Sequence, residues 1–104
     1  MQLRRTREFN EWLRSLRDIQ GKAKIVARLD RLEDGNPGNS RSVGEGIFEL
    51  KIDFGPGYRI YYVQRGEVLT VVLCGGDKST QRKDIQRAKL IASQLTDTER
   101  KHVN

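Results

Sequence analysis

Phe9, Trp12, Leu13 and Leu16 recur at i, i+3, i+4 and i+7, one face of an amphipathic helix, with Arg7, Glu11 and Arg14 opposite. Thr6 stands at the N-cap position, and Glu8 lies in the first turn, where the helix dipole favours a carboxylate. The pattern breaks around Gly21. It resumes from about Lys22 to Asp34, with Ile25, Val26, Leu29 and Leu32 as an apolar stripe and Lys24, Arg28 and Arg31 on the wet side. Gly35 fits a C-cap, and no helix continues through Asn36-Pro37-Gly38-Asn39. The two segments predict a near-antiparallel helical hairpin. Ahead of them, Met1 to Arg5 is a short edge strand with Leu3 turned inward.

From Ile47 the period changes. Ile47, Leu50, Ile52 and Phe54 fall mainly on one face of a strand, with Glu49, Lys51 and Asp53 on the other. Gly55-Pro56-Gly57 is a turn. Tyr58 to Gln64 is a second strand, in which Tyr58, Ile60 and Tyr62 alternate with Arg59, Tyr61 and Val63. Arg65-Gly66-Glu67 closes a hairpin onto Val68 to Cys74, apolar enough to be buried on both faces. Gly75-Gly76 ends that strand, and Ser79 or Thr80 caps a final helix to about Leu95. Ile85, Ala88, Ala92 and Leu95 form its inner face; Arg82, Lys83, Gln86, Arg87 and Lys89 stay outside. The order predicts an α+β fold: short N-terminal strand, helical hairpin, three-stranded antiparallel meander, C-terminal helix. Residues 1–95 make one domain, and 96–104 a polar, frayed tail that carries a solvated His102. Trp12, on the apolar helical face, reads as core.

Charge narrows the partners. The 104 residues carry 20 Lys+Arg against 14 Asp+Glu, a net charge of +6, and 13 of the 20 cations are arginines. Such a surface suits nucleic acid, an acidic protein or an anionic surface, and arginine offers a planar fork that matches phosphate. No apolar run approaches the roughly 20 residues of a membrane helix, and the start has no apolar segment of a secretory signal. The expected location is the cytoplasm. Cys74 has no partner for an internal disulfide and reads as a small core residue; one Cys and one His exclude a Cys/His zinc site.

Strand parity then collects candidate chemistry. If Leu50, Ile52, Ile60 and Tyr62 point to the core, Lys51, Arg59 and Tyr61 share the face away from the helices, on one concave surface. The loop after the third meander strand brings Lys78 and Arg82 to the same end. For RNA cleavage a ribose 2′-OH attacks the adjacent phosphate, which requires a proton acceptor, charge on the phosphoryl oxygens and a proton for the leaving 5′-oxygen. Arg59 is the natural stabiliser. Lys78 supplies a second charge, or a proton if cationic neighbours depress its pKa. Tyr61 can stack on a base or relay a proton, and Asp77 and Asp84 can hold a cation or act as a weak base. Plainer roles stand beside these. An outward strand arginine can be solvated or ion-paired, two of the tyrosines can be core, and Asp77 and Ser79 can be helix caps. Gly75-Gly76 can end a strand or form a phosphate-binding nest. Neither a metal nor another cofactor is required, because Arg and Lys can supply the charge.

The series Thr6-x-x-Phe9-x-x-Trp12-Leu13, Asn36-Pro37-Gly38, Gly44-Glu45-Gly46, Glu49-Leu50, Gly55-Pro56-Gly57-Tyr58-Arg59-Ile60-Tyr61-Tyr62 and Cys74-Gly75-Gly76-Asp77-Lys78-Ser79-Thr80-Gln81 resembles the phage-derived Gp49-like, HigB-type toxins of the RelE/ParE superfamily. The resemblance spans about residues 2 to 95 and implies the toxin of a type II toxin–antitoxin pair that cuts mRNA in the ribosomal A site. It also implies a helix-turn-helix, HigA-like antitoxin, with operator DNA bound only through the toxin–antitoxin complex. It maps the catalytic strand arginine onto Arg59, the basic residue after the last strand onto Lys78 and an upstream strand lysine onto Lys51. Where many relatives place Tyr or His, this chain offers Asp84. Tyr61 completes the candidate catalytic set, and Arg82, Lys83 and Arg87 are the candidate RNA-binding cations. A ParE-like inhibitor of gyrase, or an accessory protein whose basic face binds only antitoxin or nucleic acid, are the alternatives.

Overall fold

The computed structural model describes residues 2–103, and side chains for residues 2–95. Along the chain lie β1 (Gln2–Arg5), α1 (Arg7–Ser15), α2 (Ile19–Glu33), β2 (Ser40–Gly44), β3 (Ile47–Ile52), β4 (Tyr58–Arg65), β5 (Leu69–Asp77), a 3-10 turn (Lys78–Thr80) and α3 (Gln81–Val103). The five strands form one mixed sheet in the order β1-β5-β4-β3-β2. β1 runs parallel to β5, and the other neighbours are antiparallel.

The α+β outline holds, but the sheet has five strands where a meander plus one N-terminal strand was expected. The extra strand, β2, reads Ser-Arg-Ser-Val-Gly and pairs with β3 as a sheet edge. Only Val43 supplies an apolar side chain, so period-2 patterning has nothing to register there. The helical break also moves. It falls at Leu16-Arg17-Asp18, and Gly21 lies inside the first turn of α2. Asp18 caps α2 by accepting from the Gly21 amide at 2.9 Å, and a Cβ at Gly21 would stand 2.6 Å from Asp18 Oδ2. The glycine marks a close approach, not a helix end. Thr6 caps α1 as expected: its hydroxyl accepts from the Phe9 amide at 3.0 Å and donates to the Leu73 carbonyl at 2.7 Å.

Each face of the sheet has its own core. α1 and α2 cover one face, where Phe9, Ile25, Leu29 and Leu32 meet Leu50, Ile52, Ile60 and Tyr62. α3 covers the other, where Ala88, Ile91 and Ala92 meet Ile47, Tyr61, Val63, Leu73 and Cys74. Two expectations change as a result. Ile47 lies on the opposite face from Leu50, and the face away from α1 and α2 is largely covered instead of forming an open concave surface. Tyr61, with 0% exposure, is sealed beneath α3. Cys74 is buried as expected, and burial pushes its thiol up to about 12.

Arg28 also departs from the wet side. It is half-buried on α2 and donates to the carbonyls of Lys51 (2.9 Å) and Pro37 (3.1 Å), fastening the loop before β2. α3 runs past the expected end at Leu95 to Val103. The polar-tail side chains of 96–104, His102 among them, lie outside the described residues. Among the described residues, no helix is long and apolar enough to cross a membrane.

Candidate functional site

Register builds the site. β3 and β4 place Lys51 opposite Arg59 and Glu49 opposite Tyr61; β4 and β5 place Arg59 opposite Gly76. Directly opposed residues of an antiparallel pair share a face, and here that is the α3 face. α3 begins only at Gln81, after the 3-10 turn, so the Lys51/Arg59 end of this face stays open. It forms a pocket of about 320 Å³ lined by Asn39, Arg41, Glu49, Lys51, Arg59 and Gln81. The parity argument for Lys51 and Arg59 is therefore realised in space.

Arg59 is 5% exposed, the most buried cation of the site. Its Nη1 donates to the carbonyls of Gly57 (2.9 Å) and Tyr58 (3.3 Å), which fixes the guanidinium against the turn before β4. Its Nε is buried without a hydrogen-bond partner and lies 4.0 Å from Glu49 Oε1. Gly57 has φ +80°, and a Cβ there would lie 3.2 Å from Arg59 Nη1 and 3.4 Å from Lys78 Cβ. The Gly-Pro-Gly turn thus closes over Arg59 while Lys78 flanks it, exposed, outside the pocket lining.

Glu49 is 2% exposed and organises the pocket. It accepts from Arg41 Nε (2.9 Å), Gln81 Nε2 (2.8 Å) and the Tyr61 hydroxyl (3.0 Å). Burial pushes its carboxyl up, but the hydrogen bonds from Gln81, Arg41 and Tyr61 outweigh it and hold the group below its ordinary value. Tyr61 cannot stack on a base: it is buried, and desolvation followed by the Glu49 charge drives its hydroxyl far above the ordinary tyrosine value. Lys51 is half-exposed and only loosely paired, 3.5 Å from Asp53 Oδ1.

Asp84 stands against β5 over the backbone of Gly76, where a Cβ would fall 1.9 Å from its Oδ2. Because Gly76 is the register partner of Arg59, the carboxyl lies on the same face of the sheet as Arg59 but outside the pocket lining. Burial raises its pKa, and the hydrogen bond from the Thr80 hydroxyl opposes this only in part. Asp77 is a cap: it accepts from the Ser79 amide at 2.8 Å and opens the 3-10 turn ahead of α3.

The three cations read as RNA-binding lie in different surroundings. Arg82 borders a second hollow that shares Gln81 with the pocket. Lys83 is exposed. Arg87 makes a bidentate ion pair with Glu8 at the start of α1, and its hydrogen bond holds the Glu8 carboxyl below its ordinary value. Asn39, Arg41, Glu49 and Gln81 line the pocket although the sequence reading did not select them. Glu49 carried a usable signal, since it shares parity with Lys51. Arg41 and Asn39 belong to the unrecognised β2 and its approach, and Gln81 entered only as the last residue of the Cys74–Gln81 motif.

A model of the family described as "Phage derived protein Gp49-like (DUF891)" matches residues 11–96. An uncharacterized protein of Haemophilus influenzae is 53% identical over 95 residues, covering 91% of this chain and 96% of that protein. No solved structure matches the chain. With more than half its length matched, the chain belongs to the phage-derived Gp49-like family, which is associated with toxin–antitoxin systems.

Proposed function

We propose that this protein is the toxin of a type II toxin–antitoxin module and a metal-independent, ribosome-dependent mRNA endoribonuclease. The observation that carries the reading is the pocket, where Arg59, Lys51 and Arg41 converge on a space of about 320 Å³ and Arg59 Nε is buried without a hydrogen-bond partner. A buried donor in that condition costs free energy unless a ligand satisfies it. The mixed sheet with its flanking helices is broadly compatible with a RelE-like fold.

In this mechanism the ribose 2′-oxygen attacks phosphorus, the O2′–P bond forms and the P–O5′ bond breaks. The products are a 2′,3′-cyclic phosphate and a 5′-hydroxyl. Arg59 and Lys51 stabilise the charge that develops on the phosphoryl oxygens, with Lys78 beside them. Asp84, on the same face of the sheet though outside the pocket lining, takes the proton: burial raises its pKa, whereas the Glu49 carboxyl is depressed and engaged by three donors. Tyr61 and Glu49 position Arg41 and Gln81 instead of meeting the RNA. The cognate partner is a helix-turn-helix antitoxin.

The test is induced expression with mapping of mRNA 5′ ends. Wild type should generate new ends and arrest growth; Arg59→Ala and Lys78→Ala should generate none, with circular dichroism confirming that each variant is folded. Growth arrest with intact transcripts and altered DNA supercoiling would overturn the nuclease and favour a gyrase inhibitor.

A further inference from the structure

The pocket does not stand alone. A second hollow of about 340 Å³, lined by Gln81, Arg82, Ile85, Gln86 and Lys89, shares Gln81 with it. A third, of about 270 Å³ between α3 and the β2–β3 turn, shares Lys89 with the second and ends at Ser93. From Gln81 to Ser93 the helix advances about 18 Å at 1.5 Å per residue. The three hollows therefore form one trough along a single flank of α3, open at one end onto Arg59.

We propose that this trough is a track for single-stranded RNA, holding the nucleotides on one side of the scissile phosphate. It rests on the nuclease reading only in that the strand enters the pocket. The chemistry suits a phosphodiester backbone. Arg82 and Lys89 supply cations two turns apart on one helical face, and Gln81 and Gln86 supply amides that can meet base edges or sugar hydroxyls without demanding one sequence. Lys89 is held only loosely, 4.0 Å from Glu45 Oε2 with both side chains open to water, so a phosphate can replace that contact. The other flank of α3 is different. Arg87 is committed to Glu8, and Asp84 faces β5 there. The track thus takes Arg82 and Lys89 and leaves out Lys83 and Arg87.

The experiment measures binding of a short, fully 2′-O-methylated oligonucleotide, which cannot be cut, to the full chain across a range of salt concentrations. Neutralising one phosphate of a single strand contributes about 0.7 to the slope of log K against log salt. Arg82→Ala and Lys89→Ala should each lower the slope by about 0.7, while Lys83→Ala, an equal loss of net charge, should leave it unchanged. Glu45→Gln should tighten binding. Unchanged slopes in the first two variants, an equal drop in Lys83→Ala, or no binding at low salt would overturn the track. So would binding of oligoglutamate through Arg82 and Lys89 in place of RNA, which would mark the trough as a seat for an acidic peptide. Transcript mapping separates the two readings. Slopes that fall as expected while transcripts stay intact leave the track standing without the nuclease. Cleaved transcripts with unchanged slopes do the reverse.

Discussion

Glu49→Ala removes the one carboxylate among the pocket-lining side chains and leaves its three donors behind. The costs are unequal. Arg41 is exposed and Gln81 half-exposed, so both can turn to water at little expense. Tyr61, with 0% exposure, cannot, and a buried hydroxyl left unpaired costs about 1–3 kcal/mol. Arg59 also loses the anion 4.0 Å from its Nε while remaining nearly buried, and stripping one partner from a buried pair costs about 3–5 kcal/mol in general. These terms overlap, because both describe the same vacated volume. The expected net loss is about 4 kcal/mol, a large fraction of the roughly 5–15 kcal/mol of a typical fold. Urea unfolding at neutral pH measures it.

A double-mutant cycle isolates the mechanism. Tyr61→Phe alone should cost about 1 kcal/mol, but in the Glu49→Ala background the hydroxyl has become a liability and its removal should be neutral or stabilising. Additive losses, or a Glu49→Ala cost below about 1 kcal/mol, would refute the view that this buried carboxylate organises the pocket. The pH dependence adds a further check. Glu49 is depressed below its ordinary 4.5 in the folded chain, so its stabilisation is complete above 4.5 and disappears as pH falls through the lower folded value. The stability advantage of wild type over Glu49→Gln should therefore shrink in acid, not in base.

Gly75→Ala would put a Cβ 2.4 Å from Trp12 Cζ3, so α1 must move off β5; a loss of about 1–3 kcal/mol and a changed tryptophan emission are expected. Thr80→Val deletes the hydrogen bond that lowers the Asp84 pKa, so the acidic limb of the cleavage profile should move to higher pH; an unmoved limb would remove Asp84 from proton transfer. Cys74, with its thiol raised to about 12 by burial, should resist alkylation in the native state and react once urea unfolds the chain.

Much of the scaffold was legible because its signals are local. Thr6 and the Phe9–Leu16 spacing announce α1, and the Tyr58–Val63 alternation sets β4. β2 was invisible because an edge strand of Ser, Arg and Gly is defined by its partner, not by its own pattern. Parity assigned Arg59, Lys51 and Tyr61 to one face correctly, yet it could not show that α3 would cover that face over Tyr61 and stop short of Arg59. Burial separates residues that periodicity treats alike. Glu49 shows the same limit: its parity matched Lys51, but a carboxylate on a wet-looking face gives no sign of the three donors that enclose it.

Gly75-Gly76 gives the sharpest instance of what tertiary contact adds. Two adjacent glycines after an apolar run suggest a strand end or a phosphate-binding nest. β5 instead continues through them to Asp77, and neither glycine has the positive φ found at Gly55 and Gly57. They are needed for their missing side chains, one on each face. Trp12 of α1 occupies the space beside Gly75, and Asp84 of α3 occupies the space beside Gly76. The same dipeptide thus lets a helix approach β5 from either side, and the second approach puts the Asp84 carboxyl on the Arg59 face of the sheet. A side chain at Gly75 would disturb the scaffold through Trp12. One at Gly76 would displace Asp84, the proposed proton carrier, so serine there should suppress cleavage more than its cost in stability explains.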